Sequence, residues 1–334
     1  MAALNATNPT LLDLAKMTDP NGSIGEVVEI MNETNEIMDY MTWQEGNLPT
    51  GNQSIIRTGI PAPTWKKYYG GVQPNKGTTA QIVDNCGRLQ AYAEVDADLA
   101  DLAPNKAAFR LSEDRAHIEG ISQEVANTLF YGNDTLIPET FMGFGPRFNS
   151  LSAVSGENIV NGGGSGTDNQ SIWLVVFSPR TVFGIIPRGS KAGMQVEDKG
   201  RVTLEDASGG SNTGRMEAYR TLYKFDAGLC VKDWRYVVRI ANIDKSLLTK
   251  DASSGADLPD LMFQAMNLIP NLSVGRAVFC ASRNIITMLG RQTANLTKNS
   301  SLQSGMVGGK IVRSFNEIPV VRVDALSADE AAVT

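Results

Sequence analysis

The chain has one histidine, His117, and three cysteines, Cys86, Cys230 and Cys280, among 334 residues. A lone imidazole has no second histidine with which to complete a metal site, and it reads as a surface or boundary residue. The cysteines are far apart, odd in number and without a C-x-x-C pair. A disulfide framework is therefore not expected, and each cysteine reads as a small packed residue in a reducing compartment. No run of ~18 apolar residues occurs, so no membrane-spanning helix is expected. Residues 1–13 carry neither the basic start nor the apolar stretch of a signal peptide, and a cytosolic product is expected.

Basic clusters are missing as well. With 30 basic and 36 acidic side chains the net charge is −6, and no five Lys or Arg fall together. Tight gripping of a nucleic-acid backbone is thereby disfavoured. Motifs that carry catalysis are incomplete. Ser304 to Ile311 would need glycine at 304 and a hydroxyl at 311 to cradle phosphate, and Gly164 to Asn169 has no third glycine for a dinucleotide turn. A G-x-S-x-G elbow is absent. Counted from Asp96 as a calcium loop, the sixth position is Asp101 and the twelfth Ala107, where glycine and glutamate are required. Glu94, Asp96 and Asp98 read instead as the solvated face of a strand. No catalytic, cofactor-binding or metal-ligating residue is expected, and a β-rich hydrolase is an unfavoured rival.

What is present suits a turn-rich, β-containing protein. The apolar fraction of 42% supports a sizeable core, while 32 glycines and 14 prolines slightly exceed the usual share. Ile24, Val27, Val28, Met31, Ile37, Met38 and Met41 recur near helical spacing after Ser23, with Glu26 completing a capping box. Ser54 to Ile60 and the strict alternation from Leu89 to Leu99 predict two strands enclosing a Gly/Pro-rich middle, a long hairpin excursion. That middle carries Trp65, Lys66, Lys67, Tyr68 and Tyr69. Stacking on nucleic acid is one use for such residues; burial against a neighbouring subunit is the favoured one.

Residues 106–131 predict a long helix of roughly 40 Å, capped by Asn105, with Phe109, Ile118, Ile121, Val125 and Leu129 as its core stripe. Gly162 to Gly166 and Ser208 to Gly214 read as mobile loops. Ile172 to Pro187 reads as two buried strands about a Ser178-Pro179-Arg180 turn, and Leu229 to Ile243 as another strand pair. On that pair Asp233, Arg235 and Arg239 share one face, an ion-paired interface or surface. Helices are expected at Leu258 to Leu268 and Arg283 to Gln292. A closing strand at Ile318 to Val323 is expected at a sheet edge because of Pro319.

This order of arm, hairpin, spine helix, β-rich domain and closing strand resembles the Hong Kong 97-type major capsid protein of tailed bacteriophages. The stretches Thr128 to Asn133, Gly143 to Phe148, Ser171 to Ser190, Asp226 to Asn242 and Gly309 to Leu326 are similar to capsid proteins of short-tailed, podovirus-like phages. The similarity covers about residues 24–326. It implies an α+β fold with an N-terminal arm (1–45), an extended loop (46–95), a peripheral domain (96–150 and 306–334) and an axial domain (151–305). The implied function is an icosahedral shell of pentamers and hexamers around double-stranded DNA, without sequence-specific binding. Implied partners are further copies of the chain, a separate scaffolding protein, a portal and cement or decoration proteins, with no membrane. The implied location is the virion, and the host cytoplasm before assembly. Lys66 and Lys67 lie where some relatives cross-link covalently, but no partner asparagine can be chosen and no bond is assigned. An encapsulin-like nanocompartment of the same fold is the alternative.

Overall fold

The computed structural model describes residues 35–191, 193–205, 215–295, 302–307 and 310–334. In chain order the elements are α1 (Ile37–Tyr40), β1 (Trp43–Glu45), β2 (Gly51–Gly59), β3 (Thr78–Asp96), α2 (Ala97–Leu102), α3 (Lys106–Tyr131) and α4 (Phe144–Arg147). There follow β4 (Ile159–Asn161), β5 (Asn169–Phe177), β6 (Val182–Ile186), β7 (Gln195–Glu205), β8 (Arg215–Val231) and β9 (Val237–Asp244). The chain continues through α5 (Leu258–Leu268), β10 (Arg276–Ala281), α6 (Arg283–Asn295), β11 (Leu302–Val307), β12 (Lys310–Phe315) and β13 (Ile318–Arg322). This is a mixed α+β protein with extensive sheet. The Ser23–Glu26 capping box and the Ser208 to Gly214 loop lie outside the described residues.

The chain divides into two compact units. Of the described residues, one comprises Arg88–Val125 and those within Lys191–Asp226. In it β7 and β8 pair antiparallel from Gln195↔Lys224 to Glu205↔Arg215, with a register shift between Asp198 and Gly200. Gly200 takes a left-handed φ of 68° there, a conformation glycine adopts without steric cost. Val95, Leu99, Ala100, Ala103 and Phe109 form its apolar cluster, with Tyr219 packed against them.

The β3 alternation stops at Asp96, three residues before the expected end. Asp96 accepts the backbone N–H groups of Asp98 (2.8 Å) and Leu99 (3.3 Å), the geometry of a helix N-cap. Asp98 is therefore on a helix and not on the face of a strand. Glu94 does remain on β3, but it is paired with Arg220 (Nε–Oε1 2.7 Å) instead of solvated.

The other unit comprises Thr34–Gly87, Ala126–Ser190 and Ala227–Thr334. Its centre is β5, which pairs antiparallel with β10 on one side and with β9 on the other. All nine β5 residues are buried, and their period of two explains how. Ile172, Leu174 and Val176 join Val238, Ile240, Phe279 and the apolar faces of α5 and α6 in one cluster. Trp173 points the opposite way, and its ring sits 5.7–6.2 Å from those of Phe130, Phe144 and Phe148.

Two expectations fail here for identifiable reasons. Pro319 does not mark an edge, because β13 lies between β12 and β10. The parallel register with β10 begins at Val320, one residue beyond the proline, so the missing N–H falls before that ladder. The turn feeding β13 uses positive φ at Asn316 (47°) and Glu317 (70°), as a two-residue type I′ hairpin requires.

Asp233, Arg235 and Arg239 do not share a strand face either. A 3₁₀ turn at Trp234–Tyr236 breaks the run. Asp233 and Arg235 pair with each other across that turn (2.8 Å), and Arg239 is buried on β9.

The expected stripe on α3 divides. Phe109, Ile121, Val125 and Leu129 are buried, whereas Ile118 is 37% exposed. Phe109 and Ile121 are twelve residues apart, which places them roughly 120° apart round the helix at ~100° per residue. They cannot belong to one stripe. Ile118 does share the side of Ile121 and Leu129, but no residue from 110 to 120 is buried.

Candidate assembly surface

Strands β2 and β3 pair antiparallel from Gly51↔Asn85 out to Gly59↔Thr78. Residues 60–77, which connect them, belong to no strand or helix. On this excursion Trp65 is 104% exposed, Tyr68 98% and Tyr69 108%. Lys66 and Lys67 are exposed beside them, and so are Ile55 and Ile60. The tip keeps a defined shape: Gly70 N–H donates to the Lys67 carbonyl (3.0 Å), and Tyr69 takes a left-handed φ of 64°. Lower down, the Asn75 amide donates to the Ala62 carbonyl (2.5 Å).

The physical consequence is an unmet demand for cover. A Trp or Tyr side chain buries 150–250 Å² when packed, roughly 4–6 kcal/mol at ~25 cal/mol per Å². None of that is realised within this chain for the three rings. Large exposed aromatic side chains of this kind are candidates for an interaction site.

The root of the excursion is built differently. Asp84 on β3 is buried and ion-paired with Arg147 (2.8 Å), which also donates to the carbonyls of Met142 and Leu229. Asn52 donates to Ser54 (3.0 Å), and both side chains reach the Cys230 sulfur (3.5 and 3.7 Å). Burial pushes the Cys230 thiol up to about 11, with the nearby Asp84 carboxylate adding to the shift. Such a thiol is a packing group and not a nucleophile. The strands approach closely at Gly51, where a Cβ would lie 2.0 Å from the Asp84 carbonyl oxygen. A rigid, hydrogen-bonded base thus presents an excursion whose aromatic tip has no cover.

A second feature of the same unit escaped the sequence reading. Arg239 pairs with Glu330 (2.8 Å) and donates to Ser171 Oγ (3.1 Å) and the Phe148 carbonyl (2.7 Å). Ser171 Oγ and Tyr131 Oη donate to Glu330. Burial and the Glu330 charge both push the Tyr131 hydroxyl well above the usual tyrosine range, so it stays a donor. The signal was available: Val237-Val238-Arg239-Ile240-Ala241 places a charge inside an apolar run, and such a charge needs a buried counter-ion.

Among the described residues no three His, Cys, Asp or Glu side chains are placed to hold a metal ion. His117 is half-buried on α3. No described helix is long and apolar enough to cross a membrane.

The family described as Major capsid protein GP7 matches residues 19–334. A chain of the cryo-EM structure of bacteriophage Epsilon15 is 38% identical, with a TM-score of 0.76 and all of both chains covered. The bacteriophage JBD30 capsid is 9% identical (TM-score 0.46, 88% of this chain and 91% of that one). The SrpI encapsulin of Synechococcus elongatus is also 9% identical (TM-score 0.42, 70% and 95%). No curated protein sequence matches.

Proposed function

The chain belongs to the Major capsid protein GP7 family and is the major capsid protein of a bacteriophage; from that premise we propose how it builds its shell. The family is one of structural proteins and not an enzyme class. Identical subunits close an icosahedral shell of pentamers and hexamers around double-stranded DNA, and many modest contacts add up to a stable container.

The finer assignment is a Hong Kong 97-type subunit. Residues 1–45 serve as arm, 46–95 as extended loop, 96–150 with 306–334 as peripheral domain, and 151–305 as axial domain. Trp65, Tyr68 and Tyr69 with Lys66 and Lys67 are the subunit-interface residues, and the loop lies over a neighbour. One observation carries this reading: three aromatic side chains near full exposure on a strand-supported excursion. A surface needing that much cover finds it in a second copy.

Subunits remain in the host cytoplasm until a scaffolding protein and a portal organise them, and cement or decoration proteins are further partners. The net charge of −6 fits a container in which packaged DNA must slide and not adhere.

The test replaces Trp65 and Tyr68 together by alanine. Particles are examined by negative-stain microscopy before and after heating. Loss of shells, or their opening at a lower temperature, is the expected outcome. Shells that form and survive heating like the parent would exclude the loop as a clamp.

A further inference from the structure

Strand β2 ends the sheet order: β3 pairs with one of its edges, and no described strand pairs with the other. That second edge is partly capped from within the chain. Gln53 N–H donates to Asn47 Oδ1 (2.7 Å), and the Gln53 carbonyl accepts from Asn47 Nδ2 (2.8 Å). Both backbone groups of Gln53 therefore point away from β3. In an antiparallel pair every second residue points the same way, and the register runs unshifted from Gly51 to Arg57. The N–H and carbonyl groups of Ile55 and Arg57 thus face outward too, and no described residue bonds to them. Two donors and two acceptors stand open beside the Asn47 cap.

The open edge borders a groove of about 890 Å³ whose lining also includes Arg180, Lys232, Asp233 and Arg235. With Arg57 that makes four cations to one carboxylate, and Arg235 engages that carboxylate (2.8 Å). Lys232 donates to the Pro179 carbonyl (3.2 Å) and lies 4.7 Å from the Phe183 ring centroid. Among the described residues no carboxylate pairs with Arg57, Arg180 or Lys232. In a chain of net charge −6 the groove is a local reversal of sign.

This combination selects its occupant. A phosphate only accepts hydrogen bonds, so the Ile55 and Arg57 carbonyls would repel it. A peptide strand supplies donors and acceptors along one edge, as a chain added to a sheet does. The surplus of cations favours an acidic strand. Outside its described helices and strands this chain has no two carboxylates at i and i+2, the spacing that sets both on one face of a strand. It therefore supplies no such segment of its own.

We propose that the open edge of β2 receives one extended acidic segment of a protein other than this chain. Its backbone pairs with Ile55 and Arg57, and its carboxylates meet Arg57, Arg180 and Lys232. The site uses none of the loop's rings, and it goes beyond the shell reading because it is complete on a single subunit.

The probe is a fluorescein-labelled seven-residue peptide alternating glutamate and threonine. It is added to unassembled full-length subunits and followed by fluorescence anisotropy and by residue-resolved amide hydrogen exchange. The proposal expects saturable binding, with the Ile55 and Arg57 amides slowed roughly tenfold or more. Ser54 and Ile56, whose N–H groups face β3, should not change. Two alterations of the probe should each weaken binding roughly tenfold or more: lysine in place of glutamate, and N-methylation of every backbone nitrogen, which keeps the charge and removes the donors. Arg180→Glu with Lys232→Glu in the subunit should reverse the preference between the glutamate and lysine peptides.

No saturable binding would overturn the proposal. Undiminished binding of the N-methylated peptide would reduce the site to charge attraction and overturn it as well, as would an unchanged preference after charge reversal. Shells assembled from this chain alone are measured in the same exchange experiment. If Ile55 and Arg57 are already slow there, a second copy covers the edge and the proposal falls, while the shell reading stands. Amides that exchange freely in those shells and slow when the peptide is added support it. Should the reversed subunit fail to fold, the altered peptides on the parent subunit still decide the matter.

Discussion

Arg239 and Glu330 form a salt bridge of 2.8 Å in which each side chain is only 7% exposed. The pair fastens the segment after β13 to β9 and β5. Asn169 and Glu330 pair through their backbones, and Asn242 holds Val333 from both ends of its amide. Arg239 also lies over the Trp173 ring, 5.1 Å from its centroid. One arginine therefore joins the aromatic cluster, the central strand and the tail.

Removing one partner should be far worse than removing both. Glu330→Ala leaves a buried guanidinium uncompensated and is expected to cost about 3–5 kcal/mol, a fall in Tm of roughly 6–20 °C. Arg239→Met combined with Glu330→Leu should recover a large part of that loss. Thermal unfolding of the three variants checks it; equal losses for the single and double variants would show that the pair is not coupled.

The cap at Asp96 is testable in isolation. Asp96→Ala should cost ~1 kcal/mol through the lost bonds to the Asp98 and Leu99 N–H groups, whereas Asp96→Asn should retain most of it. Chemical denaturation resolves a difference of this size. Equal losses for the two substitutions would point to the carboxylate charge instead of the cap.

Cys230 gives a pH dependence. The folded thiol holds its proton more tightly than the unfolded one, with the value raised from 9.0 to about 11. Its contribution to stability is complete below pH 9 and is lost as pH rises through about 11. Denaturation curves between pH 8 and 11 should fall more steeply for the parent than for Cys230→Ala. Iodoacetamide should leave Cys230 unmodified at pH 8 in the folded protein and label it in urea.

Trp65→Ala with Tyr68→Ala should leave the isolated subunit's stability within ~0.5 kcal/mol of the parent, since both side chains are already in water. Circular dichroism melts of unassembled subunits measure this. A large loss would mean that the rings support their own subunit.

Much of the fold was legible where periodicity was strong. The 106–131 helix, the buried Trp173 to Phe177 run, the 258–268 helix and the hairpin about residues 60–77 follow from spacing and turn residues alone. Failures occurred where a local signal had two readings. Asp96 continues an alternating pattern and also caps a helix, and the cap prevailed. Even spacing among Asp233, Arg235 and Arg239 counts only if the strand is unbroken, and Trp234–Tyr236 breaks it. Pro319 looks like an edge residue until its neighbours are known, and those are set by contacts distant in sequence. β7 was missed because its hydrophobic alternation is weak, with most of its residues at least partly in water. The aromatic loop was legible as a candidate for the converse reason: its rings sit in a Gly/Pro-rich stretch with too few bulky apolar residues to cover them.

The most direct test of the central claim is a cryo-EM map of the assembled shell at side-chain resolution. The account predicts Trp65 and Tyr68 packed against a neighbouring subunit, with most of their exposed surface removed from water. A map showing both rings still in solvent, or folded back on their own subunit, would contradict it.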